Sequence, residues 1–122
     1  MHIGLVGGIG PAATNFYHRQ LIEASAARNV ALELTIAHAD SPILLRNQER
    51  GDKAAQAEIF LRLTHRLEAA GARAVAITAI AGHFCIDEFK ARSPLAVIDM
   101  LQETNSAIHR MGARKIGIIG TR

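Results

Sequence analysis

The order of segments along the chain predicts an α/β fold in which a parallel sheet is flanked by helices. Short apolar runs alternate with longer stretches of helical spacing, as in successive βαβ units. The first run, HIGLV (2–6), is apolar on both faces, as expected of a strand covered from both sides. With 122 residues and 49% hydrophobic content, the chain is predicted to form one domain around one core.

Helices are predicted where apolar side chains recur at helical spacing between start and stop signals. Segment 12–28 follows Pro11, a residue favoured in the first helical turn. Segment 52–71 is the clearest, because Asp52 can cap it, Gly71 can end it, and Ile59, Leu63 and Leu67 form one stripe. A shorter helix is predicted at 101–112, and another around AGHFCIDEFKA.

Five strands complete the predicted order. They cover 2–6, 30–39, 72–80, 95–99 and 115–120. The polar stretch DSPILLRNQERG (40–51) is predicted to be a loop. Strands that alternate with helices in this way require right-handed crossovers.

Composition excludes several classes of protein. A net charge of +3 comes from scattered arginines, and aromatic residues make up only 4%, so no nucleic-acid surface is predicted. A single cysteine rules out an internal disulfide and suits a reducing compartment. No segment approaches the length of a membrane span, and no signal peptide is visible. We therefore expect a soluble, cytoplasmic domain that binds an acidic small molecule.

The stretch GLVGGIGPAA (4–13) predicts an anion site, because glycines follow a strand and precede a helix. Gly8 and Gly10 would shape the turn, and Thr14 would lie in the first helical turn. The spacing also matches a dinucleotide fingerprint, but Asp40 comes about 30 residues after Gly10 instead of about 20. A tight turn without a ligand is the other interpretation.

Two similar segments begin and end the chain. MHIGLVGG and RKIGIIGT both place an Ile-Gly pair and two aliphatic residues before a glycine. We therefore expect residues 1–113 to form an N-terminal α/β lobe, and residues 114–122 to provide the first strand of a second, similar lobe. The alternative is that this pattern is common among buried strands and does not indicate a second lobe.

The segment GLVGGIGPAATNFYHRQL resembles the opening of the aspartate/glutamate racemase family, which typically reads IG-aliphatic-GGMGP-x-A-T. The stretch 39–52 is similar to the family's Asn/Asp-x-Pro…Arg loop, and 74–89 falls where the family has a Cys-Asn-Thr-Ala-His segment. The resemblance implies a flavodoxin-like lobe of a two-lobed racemase-type fold, with the active site between the lobes.

The resemblance implies cofactor-independent racemisation of an acidic amino acid such as aspartate or glutamate. That reaction needs two proton-transfer groups on opposite faces of Cα, which the family supplies as one cysteine per lobe. Aligning His83 with the family histidine places Ala79 at the position of the first-lobe cysteine, and Ile80 and Ala81 at the Asn and Thr. The usual first-lobe base is therefore missing.

Cys85 and His83 are the remaining candidates for proton transfer on this lobe. Cys85 could act from a shifted position with His83 as its ion-pair partner, or it could simply pack in the core. The candidate substrate-binding residues are Gly8, Gly10, Thr14, Ser41 and Arg46. Arg46 could hold a carboxylate in a bidentate pair, although Arg50 is close enough to be the real match.

Other functions remain open from the sequence. A hydantoin racemase, another carboxylate isomerase or decarboxylase, and an inactive anion-binding lobe all fit, and a dinucleotide-binding module is more distant. No metal site is predicted, because the other histidines show no ligand spacing. The expected partners are a carboxylate-bearing substrate and, from the resemblance, a second copy in a homodimer. We expect the isolated 122-residue chain to be inactive.

Overall fold

The computed structural model of the chain describes residues 1–117 and contains a four-stranded parallel sheet. Its strands are β1 (His2–Gly7), β2 (Glu33–His38), β3 (Ala74–Ile77) and β4 (Ala96–Ile98). They lie in the order β2-β1-β3-β4, with every neighbouring pair parallel. The α/β class predicted from the alternating segments is confirmed, and the strand order agrees with the flavodoxin-like pattern.

Helices connect the strands. They are α1 (Pro11–Ala27), α2 (Ser41–Arg50), α3 (Lys53–Ala69), α4 (Ile86–Lys90) and α5 (Met100–Arg110), and a 3₁₀ helix covers Ile80–Cys85. Of these, α1, α3, α4 and α5 lie where the sequence predicts helices. Asp52 caps α3 as predicted, since its carboxylate accepts a hydrogen bond from the N–H of Ala55 at 3.0 Å. This cap and the apolar stripe explain why α3 forms where the sequence predicts it.

The prediction that residues 40–51 form a loop is wrong. Ser41–Arg50 is the helix α2, with Pro42 in its first turn and Gly51 in the left-handed conformation that ends it. The segment between these start and stop signals is polar, and its composition therefore favoured a loop. The residues at its two ends nevertheless specify a helix. Only Leu44 of this helix is buried, which is why the apolar pattern is weak.

The predicted fifth strand is only partly within the described residues. Positions 115–117 have no regular secondary structure, and positions 118–122 lie outside the residues that the structure describes.

The two faces of the sheet carry unequal cores. On one face, α3 and α4 cover the larger cluster, where Phe60 and Phe89 meet edge-on with their ring centroids 6.0 Å apart. On the other face, the buried cluster contains Ile3, Leu5 and Ala76, packed against side chains that include Leu21 of α1. Most of the buried apolar surface that holds the fold together therefore lies on the α3 side.

All four strands end at the same edge of the sheet, which we call the carboxyl edge. There the N–H of Ala39 donates to the carbonyl of Gly7 at 2.8 Å, and the N–H of Thr78 donates to the carbonyl of Val6 at 3.0 Å. The ends of β2 and β3 are thereby held on either side of the end of β1. Open parallel sheets bind ligands at this edge, so the segments that follow the strands form the candidate site.

Candidate functional site

The turn after β1 is built around a glycine that has no room for a side chain. A Cβ on Gly8 would lie 2.6 Å from Cδ1 of Leu44 and 2.9 Å from the carbonyl oxygen of Ala39. The hydroxyl of Ser41 donates a hydrogen bond to the Gly8 carbonyl. Gly8 is therefore the point at which the first residues of α2 close onto the end of β1.

Two helices begin beside Gly8 without a side-chain cap. At the start of α1 the cap position is Gly10, with φ of 79°, and no side chain accepts a bond from the first N–H groups. At the start of α2 the cap position is Asp40, whose carboxylate makes no capping bond either. By contrast, Asp52 and Asp99 cap α3 and α5. Uncapped N-termini leave N–H groups and positive dipole ends available to an anion.

The predicted ligand residue Thr14 is committed to the protein interior. Its hydroxyl lies 2.8 Å from the hydroxyl of Thr78, which donates to the carbonyl of Val6 at 3.2 Å. Because a carbonyl only accepts and Thr78 has one hydroxyl hydrogen, Thr14 is the donor in the first of these bonds. The structure places Thr14 where it ties α1 to β1 and β3, 8% exposed. Thr78, which sequence reasoning missed, completes this chain of bonds.

A shallow depression lies at the carboxyl edge between the ends of β1 and β3. Ala79, at the position aligned with the first-lobe cysteine, contributes to its wall. The wall consists of apolar side chains and glycine backbone: Val6, Gly7, Gly8, Ile9, Leu44, Phe60, Ile77 and Ala79. No titratable side chain contributes to it.

His83 lies in the 3₁₀ helix that follows β3 and is 3% exposed. Its Nδ1 lies 3.0 Å from the carbonyl oxygen of Ala79. Since that oxygen can only accept, Nδ1 carries a proton, and in the neutral form of the ring Nε2 has a free lone pair. Nε2 is buried and has no hydrogen-bond partner within residues 1–117. The ring is thus oriented by the backbone of the residue at the missing cysteine position.

Cys85 lies two residues further along the same 3₁₀ helix and is completely buried. Burial raises the pKa of its thiol to about 11, and the nearby Glu88 carboxylate acts in the same direction. Its Sγ contacts the Gly82 carbonyl at 3.5 Å, whereas the His83 ring contacts the carbonyl of Ala79. Cys85 and His83 are close in sequence, but their hydrogen bonds go to different backbone carbonyls. This surrounding favours the neutral thiol over the reactive thiolate.

The predicted carboxylate-binding residue Arg46 is exposed on α2. It follows Leu44 by two residues, which corresponds to about 200° of helical rotation. Because Leu44 points at Gly8, Arg46 lies on the side of α2 turned away from the depression. The structure therefore brings together Gly8, Gly10 and Ser41 at the carboxyl edge, and leaves Arg46 outside that group.

In a dinucleotide turn the central glycine lets a pyrophosphate approach the backbone, but here Leu44 and Ala39 fill the space over Gly8. Over residues 1–117, no three His, Cys, Asp or Glu side chains come together in a way that could hold a metal ion. Within the same range, no helix combines the length and apolarity needed to cross a membrane.

Solved structures with the same fold are found among racemase homologues. One is a candidate Asp/Glu racemase from Yersinia pestis, with a TM-score of 0.80 and 22% identity, over 91% of this chain and 50% of that one. Another is an aspartate racemase homologue from Pyrococcus horikoshii, with a TM-score of 0.79 and 24% identity, over 93% of this chain and 50% of that one. The chain thus spans about half the length of each of these structures.

A model of the family described as Asp/Glu/Hydantoin racemase matches residues 6–122, nearly the whole chain. The match includes the Gly8 turn, the two uncapped helix N-termini and the segment from Ala79 to Cys85. The resemblance of GLVGGIGPAAT to the family opening is therefore confirmed by an independent comparison. The chain belongs to the Asp/Glu/Hydantoin racemase family.

Proposed function

We propose that the carboxyl edge of this sheet binds the carboxylate of a small molecule, and that the chain acts as one lobe of a cofactor-independent isomerase. The observation that carries the proposal is the pair of uncapped N-termini, of α1 and α2, on either side of Gly8. A carboxylate placed there would accept backbone hydrogen bonds and be stabilised by both helix dipoles. Membership of a racemase family supports the same class of chemistry.

In this proposal residues 1–113 form the first lobe and residues 114–122 begin a second, similar one. Deprotonation at Cα breaks the C–H bond and leaves negative charge on the carboxylate, which the helix N-termini would stabilise. The proton carrier for the other face of the substrate would come from the second lobe. The length of the structural neighbours, twice the part that this chain covers, supports a two-lobed protein.

His83 is our candidate for proton transfer on this lobe, and we assign Cys85 to core packing. The free lone pair of His83 Nε2 is a base, whereas a buried thiol with a pKa of about 11 stays protonated at neutral pH. Because Nε2 is buried, the 3₁₀ helix has to shift before the ring can reach a substrate. Arg46 remains a candidate only for a ligand group outside the depression.

Carboxylate binding can be tested on this chain by following backbone amide signals during a titration with acetate. We expect the N–H signals of Gly10, Ala12 and Ser41 to shift. The N–H groups of Ala55 and Gln102 already bond to Asp52 and Asp99, so their signals serve as the internal control and should stay in place. Equal shifts in both sets would mean nonspecific binding and would remove the basis of the proposal.

Isomerase activity requires the complete gene product and a set of amino acids and other carboxylates deuterated at Cα. We expect loss of deuterium from at least one compound with the wild type and with Cys85→Ala. The variant His83→Asn keeps an N–H that can bond to the Ala79 carbonyl but lacks the basic nitrogen, and it should lose the exchange. If His83→Asn still exchanged the Cα deuterium, His83 would not be the proton-transfer group. If Cys85→Ala lost the exchange, the Cys85 thiol would be part of the reaction.

A second function of this site, a one-base decarboxylase or related carboxylate isomerase, is favoured by one observation. The wall position aligned with the family cysteine is Ala79, which carries no proton-transfer group. An enzyme with a base on one face only can deliver a proton to that face but cannot racemise through two bases. Release of carbon dioxide from a malonate-type substrate, without racemisation of amino acids, would identify this alternative.

A further inference from the structure

The strand β2 has an open backbone edge, because within residues 1–117 it pairs with β1 on one side only. The N–H of Glu33 donates to the carbonyl of Met1 at 2.8 Å, and the N–H of Ala39 donates to that of Gly7 at 2.8 Å. Since backbone groups alternate in direction along a strand, the odd-numbered residues of β2 face β1. The outward N–H and C=O groups belong to the residues between them: Leu34, Ile36 and His38.

A groove of about 320 Å³ lies between α1 and this strand, on the face of the sheet that α1 covers. Leu34 lines it, together with Ile22 and Val30, which are 48% and 44% exposed. Ile36 comes two residues after Leu34, so it projects from the same face of β2, and it is 43% exposed. The open edge is therefore bordered by a continuous apolar surface.

We infer that this surface is a dimer interface, in which the β2 strands of two copies of the chain pair antiparallel about a two-fold axis at Thr35. An axis perpendicular to the sheet joins the two open edges and keeps both α1 helices on the same face. Outward-facing residues then meet one another. Leu34 and Ile36 of one copy exchange their backbone hydrogen bonds with Ile36 and Leu34 of the other, and the two sheets become one.

The side chains of β2 identify a second copy of the chain as the occupant of the groove. In this register Ile36 of one copy lies directly opposite Leu34 of the other, with Cβ atoms about 5.5 Å apart. Because Leu34 lines the groove, each Ile36 enters the groove of the other copy. An open edge beside an apolar groove accepts a strand with aliphatic residues at alternate positions, and β2 itself is such a strand.

The charges beside the edge are compatible with this pairing. Each Glu33 lies opposite Ala37 of the other copy, whereas a register centred on Glu33 would place the two carboxylates face to face. No Lys, Arg, Asp or Glu of the described part of the chain lines the groove, and His18 is the one titratable side chain there. The contact therefore removes hydrocarbon from water without opposing like charges across the strands.

Sedimentation equilibrium of this chain and of the complete gene product tests the interface. We expect both to form dimers, and we expect Ile36→Lys to raise the dimer dissociation constant at least tenfold, because its ammonium group would lie against Leu34 of the other copy. Leu101→Lys is the matched control, since Leu101 is 44% exposed and follows β4 at the opposite end of the sheet. The control should leave the dissociation constant unchanged.

Three results would overturn the inference. The first is a wild-type chain that stays monomeric at every concentration, and the second is an equal effect of Ile36→Lys and Leu101→Lys. The third is a complete gene product that is monomeric although this chain dimerises, because another part of the protein would then cover β2.

Cysteine crosslinking tests the register. In Thr35→Cys the two introduced thiols meet at the axis in a non-hydrogen-bonded pair, where Cα atoms about 4.5 Å apart allow a disulfide. Oxidised glutathione should therefore produce a covalent dimer, while the buried Cys85 stays reduced. Ala37→Cys is the control, because its two copies would lie about 13 Å apart along the strands. A crosslink that forms as fast in Ala37→Cys as in Thr35→Cys would overturn the assigned pairing.

Discussion

Gly8 and Gly10 are separated by one residue and both have a positive φ, of 155° and 79°, but only Gly8 is also crowded. Gly8 is crowded, since a Cβ would lie 2.6 Å from Leu44 and 2.9 Å from a backbone oxygen. Gly10 has open space around it, but its φ of 79° is one that L residues avoid. Gly8 is thus limited by its neighbours and by its backbone, and Gly10 by its backbone alone.

Substitution by alanine should separate these two causes. We expect Gly8→Ala to lower the free energy of unfolding by about 2–3 kcal/mol through overpacking together with backbone strain. Gly10→Ala should lower it by about 1–2 kcal/mol through backbone strain alone. Urea unfolding measures both, and Gly117→Ala is the control because its Cβ position is open and its φ is ordinary. A cost for Gly8→Ala no larger than that of Gly10→Ala would show that Leu44 moves aside freely.

The buried thiol of Cys85 should make stability depend on pH in the alkaline range. In the unfolded chain the thiol has a pKa of about 8.5, whereas in the folded protein its pKa is about 11. Unfolding therefore releases a proton between these values, and the free energy of unfolding falls as the pH rises. We expect a loss of about 1.5 kcal/mol between pH 8.5 and 10 from this group.

Urea unfolding of the wild type and of Cys85→Ala at pH 7, 8.5 and 10 measures that contribution. The variant removes the thiol but keeps every other titrating group, so the difference between the two curves isolates Cys85. The difference should shrink as the pH rises from 8.5 to 10. If the free energies of unfolding of wild type and variant changed in parallel with pH, the folded thiol would ionise as readily as the unfolded one. Cys85 would then again be a candidate for a reactive thiolate.

The sequence predicted the glycine turn at the residue scale but could not assign Cys85. Glycines between a strand and a helix specify a turn by local geometry alone. Whether a cysteine two residues after His83 faces a ligand or the core depends instead on how the 3₁₀ helix is rotated. That rotation is set by packing against α3, where Gly82 lies against Phe60, and such a contact is not local in sequence.

At the scale of elements, Asp99 holds the start of α5 in place. Its Oδ1 accepts bonds from the N–H groups of Leu101 and Gln102, and its Oδ2 accepts one from Nζ of Lys90 at 3.0 Å. Burial by itself would raise the pKa of this carboxyl, but the bonds from Lys90 and the two N–H groups outweigh it and lower the pKa. The ionised form is therefore the one that stabilises the fold.

Removing this carboxylate with Asp99→Ala should lower the free energy of unfolding by about 1–2 kcal/mol. Asp52→Ala is the matched comparison, because Asp52 accepts a single exposed capping bond, and it should cost about 0.5–1 kcal/mol. The Asp99 contribution should be complete above the usual value of about 3.9 and should disappear as the pH falls through the lower folded pKa. Thermal unfolding from pH 2 to 6 measures it, and a difference between variant and wild type that persists at pH 2 would contradict the assignment.

Helix α2 shows where element prediction failed and why. Its apolar spacing is weak because Leu44 is its one buried residue, so periodicity favoured a loop. Its ends were nevertheless marked by Asp40, Pro42 and Gly51, which together are typical of a helix start and stop. The strands and α3 were predictable because their burial is extensive, and burial is what creates a periodic pattern.

At the scale of the whole molecule, the two faces of the sheet differ in how firmly they are held. The α3 face contains the large cluster around Phe60 and Phe89, whereas no residue of α5 is buried. Local opening requires least free energy where few apolar contacts are broken. We therefore expect α5 to open locally while α3 stays folded.

Native-state hydrogen exchange measures this difference. We expect amides of α5 to exchange with opening free energies at least 2 kcal/mol below those of α3, which should approach the global value. The helix α1 should lie between them, because it is tied to the sheet through the bond between Thr14 and Thr78. Equal protection in α3 and α5 would show that the domain opens only as a single unit.

The location of the candidate site at the carboxyl edge could be predicted from the sequence. Parallel strands bring the segments after β1, β2 and β3 together, so residues far apart in the chain could be assigned to one site from strand order alone. The orientation of Arg46 and the burial of Thr14 could not be assigned in this way. Both depend on the rotation of a helix about its axis, which strand order does not determine.

The position of β2 in the sheet has a consequence for how the protein behaves at high concentration. Within residues 1–117, β2 is an outermost strand, so the backbone groups along its outer side are open to pairing. Ile36 on this strand is 43% exposed, and the segment ELTIAH contains no proline. Such an edge is a template for strand addition between molecules. The charge of Glu33, whose side chain is 80% exposed, is the local feature that opposes fibril growth there.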